Sequence, residues 1–333
     1  MKALRYHGVQ DLRLDEVPTP TYGADEALVR VRYAGICGSD LHVFGKGMFG
    51  IVPPMTMGHE FSGIIEAVGD QATGLRPGDL VVGDPRVVCG RCEWCRSGHE
   101  NLCPSLGFIG EVRPGSFAQL IVLPAARLLR VKSHVDPLKA ALIEPLAVAV
   151  HTVKLASIPS GATLGVVGAG PIGLLCMKLA KAQHSCRVIV VDPRVSRLEI
   201  ARQLGADQTS CSLAEMKPSS ADVVIEAAGK DLVFAGAITW VKPRGTVALV
   251  AIYENPATFD PTDAVAKEVI LQGVNCYDRS DLEEAVYLTE RDVLDLTPLV
   301  SHILPLDKGP EAFTRLLGGR DACKILLAPN LDP

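Results

Sequence analysis

The sequence has no run of about twenty apolar residues, the length a helix needs to cross a bilayer, so no membrane span is expected. It has no basic excess either. Lys and Arg number 33 against 38 Asp and Glu, a net charge of -5, which argues against a general binder of nucleic acid or of anionic membrane. The opening, "MKALRYHGVQDLRLDEV", lacks an apolar signal core, so a cytoplasmic protein is expected. Internal repeats, low-complexity segments and flexible linkers are missing too. What is there, 333 residues of which 48% are hydrophobic, is ample for a core and long for a single one, so two domains are expected.

The first third reads as short strands and turns. "EALVRVRYAGI" and "FSGIIEAVG" alternate apolar and polar residues as half-buried strands do, and "RPGD" is a turn before the strand "LVVGDP". Near residue 145 the pattern changes. "ATLGVVGAGPIGLLCMKLAKAQ" is a strand, a glycine turn and a helix; "CRVIVVD", "ADVVIEAAG" and "TVALVAI" are further buried strands with helical segments between them. Alternating strands and helices imply a parallel sheet covered on both faces. "VILQGVNC" is a candidate last strand and an open edge of that sheet. A helix follows, with Ser280 and Glu283 spaced as a capping box, then the helix "LDKGPEAFTRLLGG" and the terminal strand "ACKILLAP". The expected class is therefore α/β, with domains at 1–146, 147–277 and a return of 278–333 to the first domain.

Four cysteines, Cys89, Cys92, Cys95 and Cys103, fall within "CGRCEWCRSGHENLC". In a reducing compartment a disulfide staple is disfavoured. A redox CxxC needs only two of the four. A nucleic-acid zinc ribbon wants basic surroundings, whereas Arg91, Arg96 and His99 here face Glu93 and Glu100. Four thiolates can close a tetrahedron around zinc with no open position, so a structural zinc lobe is expected over 85–105. The other cysteines at 176, 186, 211, 276 and 323 are scattered and read as ordinary reduced residues.

"GAGPIG" sets Gly168, Gly170, Pro171, Ile172 and Gly173 between a strand and a helix, the context in which such a turn brings backbone N–H groups to a pyrophosphate. Asp192, nineteen residues beyond Gly173, ends the next strand and can accept hydrogen bonds from ribose hydroxyls, which favours NAD over NADP. Arg194 and Arg197 follow closely, and either can meet the extra phosphate of NADP.

A second cluster is spread over three segments. "GICGSDLH" carries Cys37, Ser39, Asp40 and His42; "GHEFSG" carries His59 and Glu60; "EPLAVAVH" carries Glu144 and His151. A Cys, a His and a carboxylate can hold zinc with a fourth position open, the catalytic type of site. With these segments in this order, together with the cysteine lobe and "GAGPIG", the chain resembles the zinc-dependent medium-chain alcohol and polyol dehydrogenases over nearly its whole length. The resemblance implies a Rossmann-type domain inserted in a β-rich, GroES-like catalytic domain. It implies two zinc ions per chain, one catalytic and one structural, and assembly as a homo-oligomer, dimer or tetramer. Cys37 and His59 look like the two fixed ligands of the catalytic zinc. The third place, a cysteine in the alcohol dehydrogenase branch, is here Glu144, as in the sorbitol, threonine and butanediol dehydrogenase branches, where either this acid or Glu60 approaches the metal. Glu60 is equally readable as a charge behind the ligands. Asp40 is placed to accept the other ring N–H of His59.

The implied reaction is reversible oxidation of an alcohol to a carbonyl, with zinc as Lewis acid and the nicotinamide as hydride acceptor. The substrate proton leaves through Ser39 and, by analogy with the family, through the nicotinamide ribose to His42. A polyol, sugar alcohol, vicinal diol or other secondary alcohol is the expected substrate class, with L-threonine the alternative and a non-catalytic NAD- and zinc-binding protein the last. Residues 43–56 are expected to line the substrate cleft, with Phe44, Met48 and Phe49 either giving it a partly apolar wall or packing in the core.

Overall fold

The computed structural model describes residues 1–319 and 322–330. They divide into two compact units. The first takes in Met1–Glu144, Asp278–Asp292 and the described residues from Val300 on; the second takes in Pro145–Tyr277 and Val293–Leu299. The chain leaves the first unit, builds most of the second, returns, and passes once more through the second at Val293–Leu299.

Among the described residues, the first unit is organised on a seven-stranded sheet. Its order is Leu128–Val131, Leu80–Gly83, Glu60–Val68, Glu26–Gly35, Lys324–Ala328 and Val300–Pro305, with Leu120–Pro124 also pairing to Glu26–Gly35. The long central strand Glu26–Gly35 shows why alternation reads as a half-buried strand. Val29 and Val31 are fully buried while the alternating Arg30 and Arg32 are exposed, and Arg30 meets Glu66 across the strands at 2.7 Å. The terminal strand Lys324–Ala328 runs antiparallel to this central strand, so the tail closes the sheet that the first third began. Every residue of that strand is buried, including Lys324 at its head.

The second unit holds a six-stranded sheet whose paired strands are all parallel. In space the order is Gln208–Ser210, Arg187–Val191, Thr163–Val167, Ala221–Glu226, Val241–Leu249 and Ile270–Gly273. The chain thus starts in the middle, works to one edge, and restarts beside its first strand. That reversal makes a crevice at the carboxyl ends of Thr163–Val167 and Ala221–Glu226, where open parallel sheets bind their ligands. The core on one face includes Val167, Val224, Ala237 and the buried Trp240. The fold is the expected α/β arrangement, with the parallel-sheet unit interrupting the β-rich one along the sequence.

The capping box lies elsewhere than expected. The helix Arg279–Glu290 is capped by Asp278, whose N–H donates to the Asp281 carboxylate at 2.9 Å. Ser280 is already inside the first turn. Both pairs have box spacing, and an aspartate at the cap two residues earlier starts the helix sooner. Of its two readings, Phe44 takes the core. It is 7% exposed and packs edge-on against Phe313 at 5.3 Å, so it belongs to the core of the first unit. Phe49, by contrast, is half exposed in the turn Met48–Gly50.

Candidate active site

Cys37 sits at the N-cap of the helix Gly38–Lys46, with extended backbone angles. Asp40, three residues on, accepts the Cys37 N–H at 2.9 Å, which fixes the start of the helix and the direction of the thiol. His59 and Glu60 lie where the chain enters the strand Glu60–Val68, and both are buried. Ligand atoms of Cys37, His59 and Glu60 all come within 4.8 Å of one another. Glu144 is buried in the first turn of the helix Ile143–Ala156. It is not part of that threesome, but its charge acts on both His59 and Lys324. Asp40 does not hydrogen-bond His59 as expected. Its Oδ1 stands 3.8 Å from the His59 Nδ1, an ionic distance, while its other oxygen accepts the Cys37 N–H. Ser39 and His42 are one turn apart on the Gly38–Lys46 helix, both half-buried. His151 is buried in the Ile143–Ala156 helix.

The structure adds a residue that the sequence did not suggest. Lys324, from the far end of the chain, forms an ion pair with the Glu60 carboxylate and donates to the Ile36 carbonyl at 3.0 Å. Each of the paired side chains is only 2% exposed. A Cβ at Gly35 would strike the Glu60 carboxylate and come within 3.0 Å of the Lys324 Cε, so glycine is needed there to let the pair form.

The pocket is rich in acid. Burial lowers the proton affinity of the His59 imidazole, but Asp40, Cys37 and Glu144 outweigh it and hold the ring well above its ordinary pKa. Lys324 behaves likewise: burial pulls it down, and Glu60 and Cys37 raise it further than burial lowers it. Burial pushes Asp40 up despite His59 beside it. Thiol, imidazole and carboxylate donors converging in such a setting form a donor set that suits zinc.

The cysteine lobe is a separate centre. It rises from a neck where Arg86–Val87 pairs antiparallel with Gly107–Phe108. Cys92 caps the short helix Glu93–Arg96, and its Sγ accepts the Cys95 N–H at 3.5 Å. The sulfur separations are 3.4 Å for Cys92–Cys95, 3.6 Å for Cys103–Cys89 and 4.0 Å for Cys89–Cys95. None of the ten cysteines is in a disulfide. A zinc–sulfur bond of about 2.3 Å makes the edge of a tetrahedron about 3.8 Å, which these spacings bracket. The N–H groups of Arg91 and Cys92 pull the Cys89 thiol down to about 6, while burial and the Cys92 sulfur push Cys95 up to about 12. Thiols this close cannot all ionise unless a cation joins them. Below the lobe, the buried Arg86 forks onto Asp84 at 2.9 Å through both Nε and Nη2. Arg127 links Asp84, at 3.0 Å, to Glu100 of the lobe, at 2.6 Å.

In the second unit, Gly168 turns the chain out of Thr163–Val167 with φ of +99°, and a Cβ there would come within 2.9 Å of the Ala227 backbone. Only glycine suits that turn. Gly170 is the N-cap of the helix Pro171–His184, with Pro171 at a first-turn position where its missing N–H costs nothing. Ile172 is half-buried and Gly173 buried in that first turn. Asp192 follows Arg187–Val191, as read from sequence, and both its oxygens accept from the chain itself: Oδ2 from the Ala169 N–H at 2.9 Å, Oδ1 from the Arg194 N–H at 2.9 Å. Arg197 comes within 3.5 Å of where a Cβ on Gly170 would stand.

With this geometry established, comparison with known proteins is direct. Residues 23–133 match the alcohol dehydrogenase GroES-like domain and residues 171–291 match the zinc-binding dehydrogenase family. The chain is 33% identical to L-threonine 3-dehydrogenase of Bacillus subtilis (strain 168), covering 99% of both chains. It is 33% identical to D-xylulose reductase A of Aspergillus oryzae, covering 96% of this chain and 94% of that one. A structure described as a zinc-binding dehydrogenase of Sinorhizobium meliloti 1021, bound to NADP, superposes with a TM-score of 0.91 at 30% identity, over 98% of this chain and 99% of that one. The chain belongs to the zinc-dependent medium-chain dehydrogenases, oxidoreductases of the alcohol and polyol dehydrogenase type. Zinc and a nicotinamide dinucleotide are the cofactors that go with that family. Among the described residues, no helix is long and apolar enough to cross a membrane.

Proposed function

We propose that this protein reversibly oxidises a secondary alcohol, in a polyol, sugar alcohol or vicinal diol, to the ketone with NAD. The observation that carries the reading is the meeting of Cys37, His59 and Glu60 in one buried, acid-rich pocket. When bound, the catalytic zinc supplies a Lewis acid and the nicotinamide a hydride acceptor. Cys37 and His59 are the fixed ligands, and a carboxylate from Glu60 or Glu144 completes the set. Lys324 balances the charge of Glu60, so the pocket can keep a carboxylate beside the thiol without water. Asp40 holds the thiol's helix in place. Ser39 takes the proton of the substrate hydroxyl and His42, one turn further along the same helix, passes it towards solvent. Gly168, Gly170, Pro171, Ile172 and Gly173 receive the pyrophosphate, and Asp192 and Arg197 flank the adenosine end. Cys89, Cys92, Cys95 and Cys103 hold a second zinc ion, which contributes folding free energy.

Cysteines that form no disulfide accord with a cytoplasmic protein. Exposed Ile270 and Leu271 on the edge strand Ile270–Gly273 support a homo-oligomer, dimer or tetramer, joined through that edge. A second substrate reading, L-threonine, is favoured by the B. subtilis relative.

The test is NAD⁺ reduction across polyols, vicinal diols, sugar acids and L-threonine, with a chelator-treated control. Activity on one class that the chelator removes supports the reading and identifies the substrate class. His59→Ala should abolish turnover while NAD binding stays within about threefold; unchanged turnover overturns the zinc mechanism.

A further inference from the structure

The adenosine end of the dinucleotide crevice is built differently from a plain NAD site. The acid after the second strand normally offers its oxygens to the ribose hydroxyls and repels a 2′-phosphate. Here Asp192 is taken up by its own neighbour. The Arg194 guanidinium forks onto it, with Nε at 3.0 Å from Oδ1 and Nη2 at 3.2 Å from Oδ2. The Arg194 N–H and the Ala169 N–H fill the remaining acceptor positions at 2.9 Å each. The carboxylate is 1% exposed, whereas the Arg194 side chain is 39% exposed. The surface at this place is therefore guanidinium, not carboxylate. Of its five N–H donors, at most three (on Nε and Nη2) face Asp192, which leaves the Nη1 pair for a ligand. Arg197, one turn further along the helix Val195–Gln203, adds a second cation against Gly170. Asp192, Arg194 and Arg197 together carry a net positive charge.

We propose that Arg194 sets cofactor choice: by masking Asp192 and presenting its outer N–H groups, it lets the site take a ribose 2′-phosphate, so that the enzyme uses NADP as well as NAD. This rests on the dinucleotide reading of the glycine turn. Guanidinium is the side chain suited to it, because it can hold a carboxylate on one edge and a phosphate on the other.

The test uses calorimetric binding of 5′-ADP and 2′,5′-ADP to the full-length protein, which needs no turnover and no bound metal. In the wild type the two ligands should bind within about thirtyfold of each other, since a masked carboxylate does not repel the phosphate. Arg194→Ala uncovers Asp192 and should weaken 2′,5′-ADP by about tenfold or more, leaving 5′-ADP within about threefold. Arg194→Lys keeps the charge but loses the fork, and should fall between the two. Retained 5′-ADP binding also shows that each variant is folded. A wild-type preference for 5′-ADP above about thirtyfold, or an unchanged ratio in Arg194→Ala, overturns the proposal and leaves the NAD reading standing. If the wild type binds neither ligand, the dinucleotide reading falls and the proposal falls with it.

Discussion

Asp84→Asn isolates how the cysteine lobe is fastened to the sheet beneath it. Arg86 and Asp84 both have side chains 0% exposed, and they are joined by two hydrogen bonds of 2.9 Å. Removing the carboxylate charge takes away the guanidinium's two short hydrogen bonds and leaves it the longer contact with Glu100, 3.6 Å from its Nη2. Arginine cannot escape by losing its proton, because it titrates above about 12. Breaking such a pair from one side costs about 3–5 kcal/mol, and an asparagine that keeps one acceptor belongs near about 3 kcal/mol. With a urea slope of about 2 kcal/mol per molar, the midpoint should fall by about 1.5 M. Arg86→Met should cost less, since Asp84 would still have Arg127 at 3.0 Å and Arg279 at 3.7 Å. Fluorescence separates the units, because the two tryptophans are Trp94 in the lobe and Trp240 in the parallel sheet unit; a Trp240→Phe background reports on the lobe's unit alone. The pH dependence has a defined sign. Burial raises the Asp84 pKa, but Arg86 and Arg127 more than offset it, so the folded value lies below the ordinary one. Its contribution is complete above the unfolded pKa of about 3.9 and is lost as pH falls through the lower folded value. The gap between wild type and Asp84→Asn should therefore be flat from about pH 8 to about pH 5 and close only at lower pH. A midpoint shift below about 0.5 M, or a larger loss for Arg86→Met than for Asp84→Asn, would refute this account.

Two further expectations follow from the metal centres. Cys95→Ser should release one equivalent of zinc per chain, measured by a chromogenic chelator on denatured protein, and lower the stability of the lobe's unit while 5′-ADP binding in the other unit is unchanged; full zinc content would count against the four-thiolate site. Lys324→Met should destabilise by about 3–5 kcal/mol, because it leaves Glu60 buried without its cation. Adding Glu60→Gln should recover much of that loss, and a double variant no more stable than Lys324→Met would show that the ion pair is not the source.

What the sequence could reveal divides by distance along the chain. The cysteine lobe and the glycine turn are contiguous, and each carries its chemistry in its own spacing; the strand before Gly168 and the helix after it are visible in the same stretch. Cys37, His59 and Glu144 lie far apart, yet each stands in a short segment distinctive enough to be assigned by resemblance. The errors are of two kinds. The local ones are choices between near-equivalent options, as when Asp278 and Asp281 compete with Ser280 and Glu283 for one helix start. Asp192 is legible only in part. Its position is legible, but whether its oxygens face a ribose or the arginine two residues away is decided by a side-chain rotamer. The two readings of Phe44 are separated only by tertiary context, since an aromatic between two ligand motifs can face a cleft or, as here, Phe313.

Lys324 is the other kind. It meets Glu60 across 264 residues, and no local pattern announces that. One sign was nevertheless present: a lone lysine at the head of "KILLA", in a strand otherwise wholly apolar. A lysine is seldom fully buried unless it is paired, and burying its charge costs several kcal/mol without a partner. A terminal apolar strand in a chain with an acid-rich pocket therefore implies that its lysine ends beside one of the acids. Glu60 is the acid whose strand, Glu60–Val68, lies next to Glu26–Gly35, the strand with which Lys324–Ala328 pairs. The sheet order brings the charge to the site, and only the return of the tail to the first unit makes that order possible.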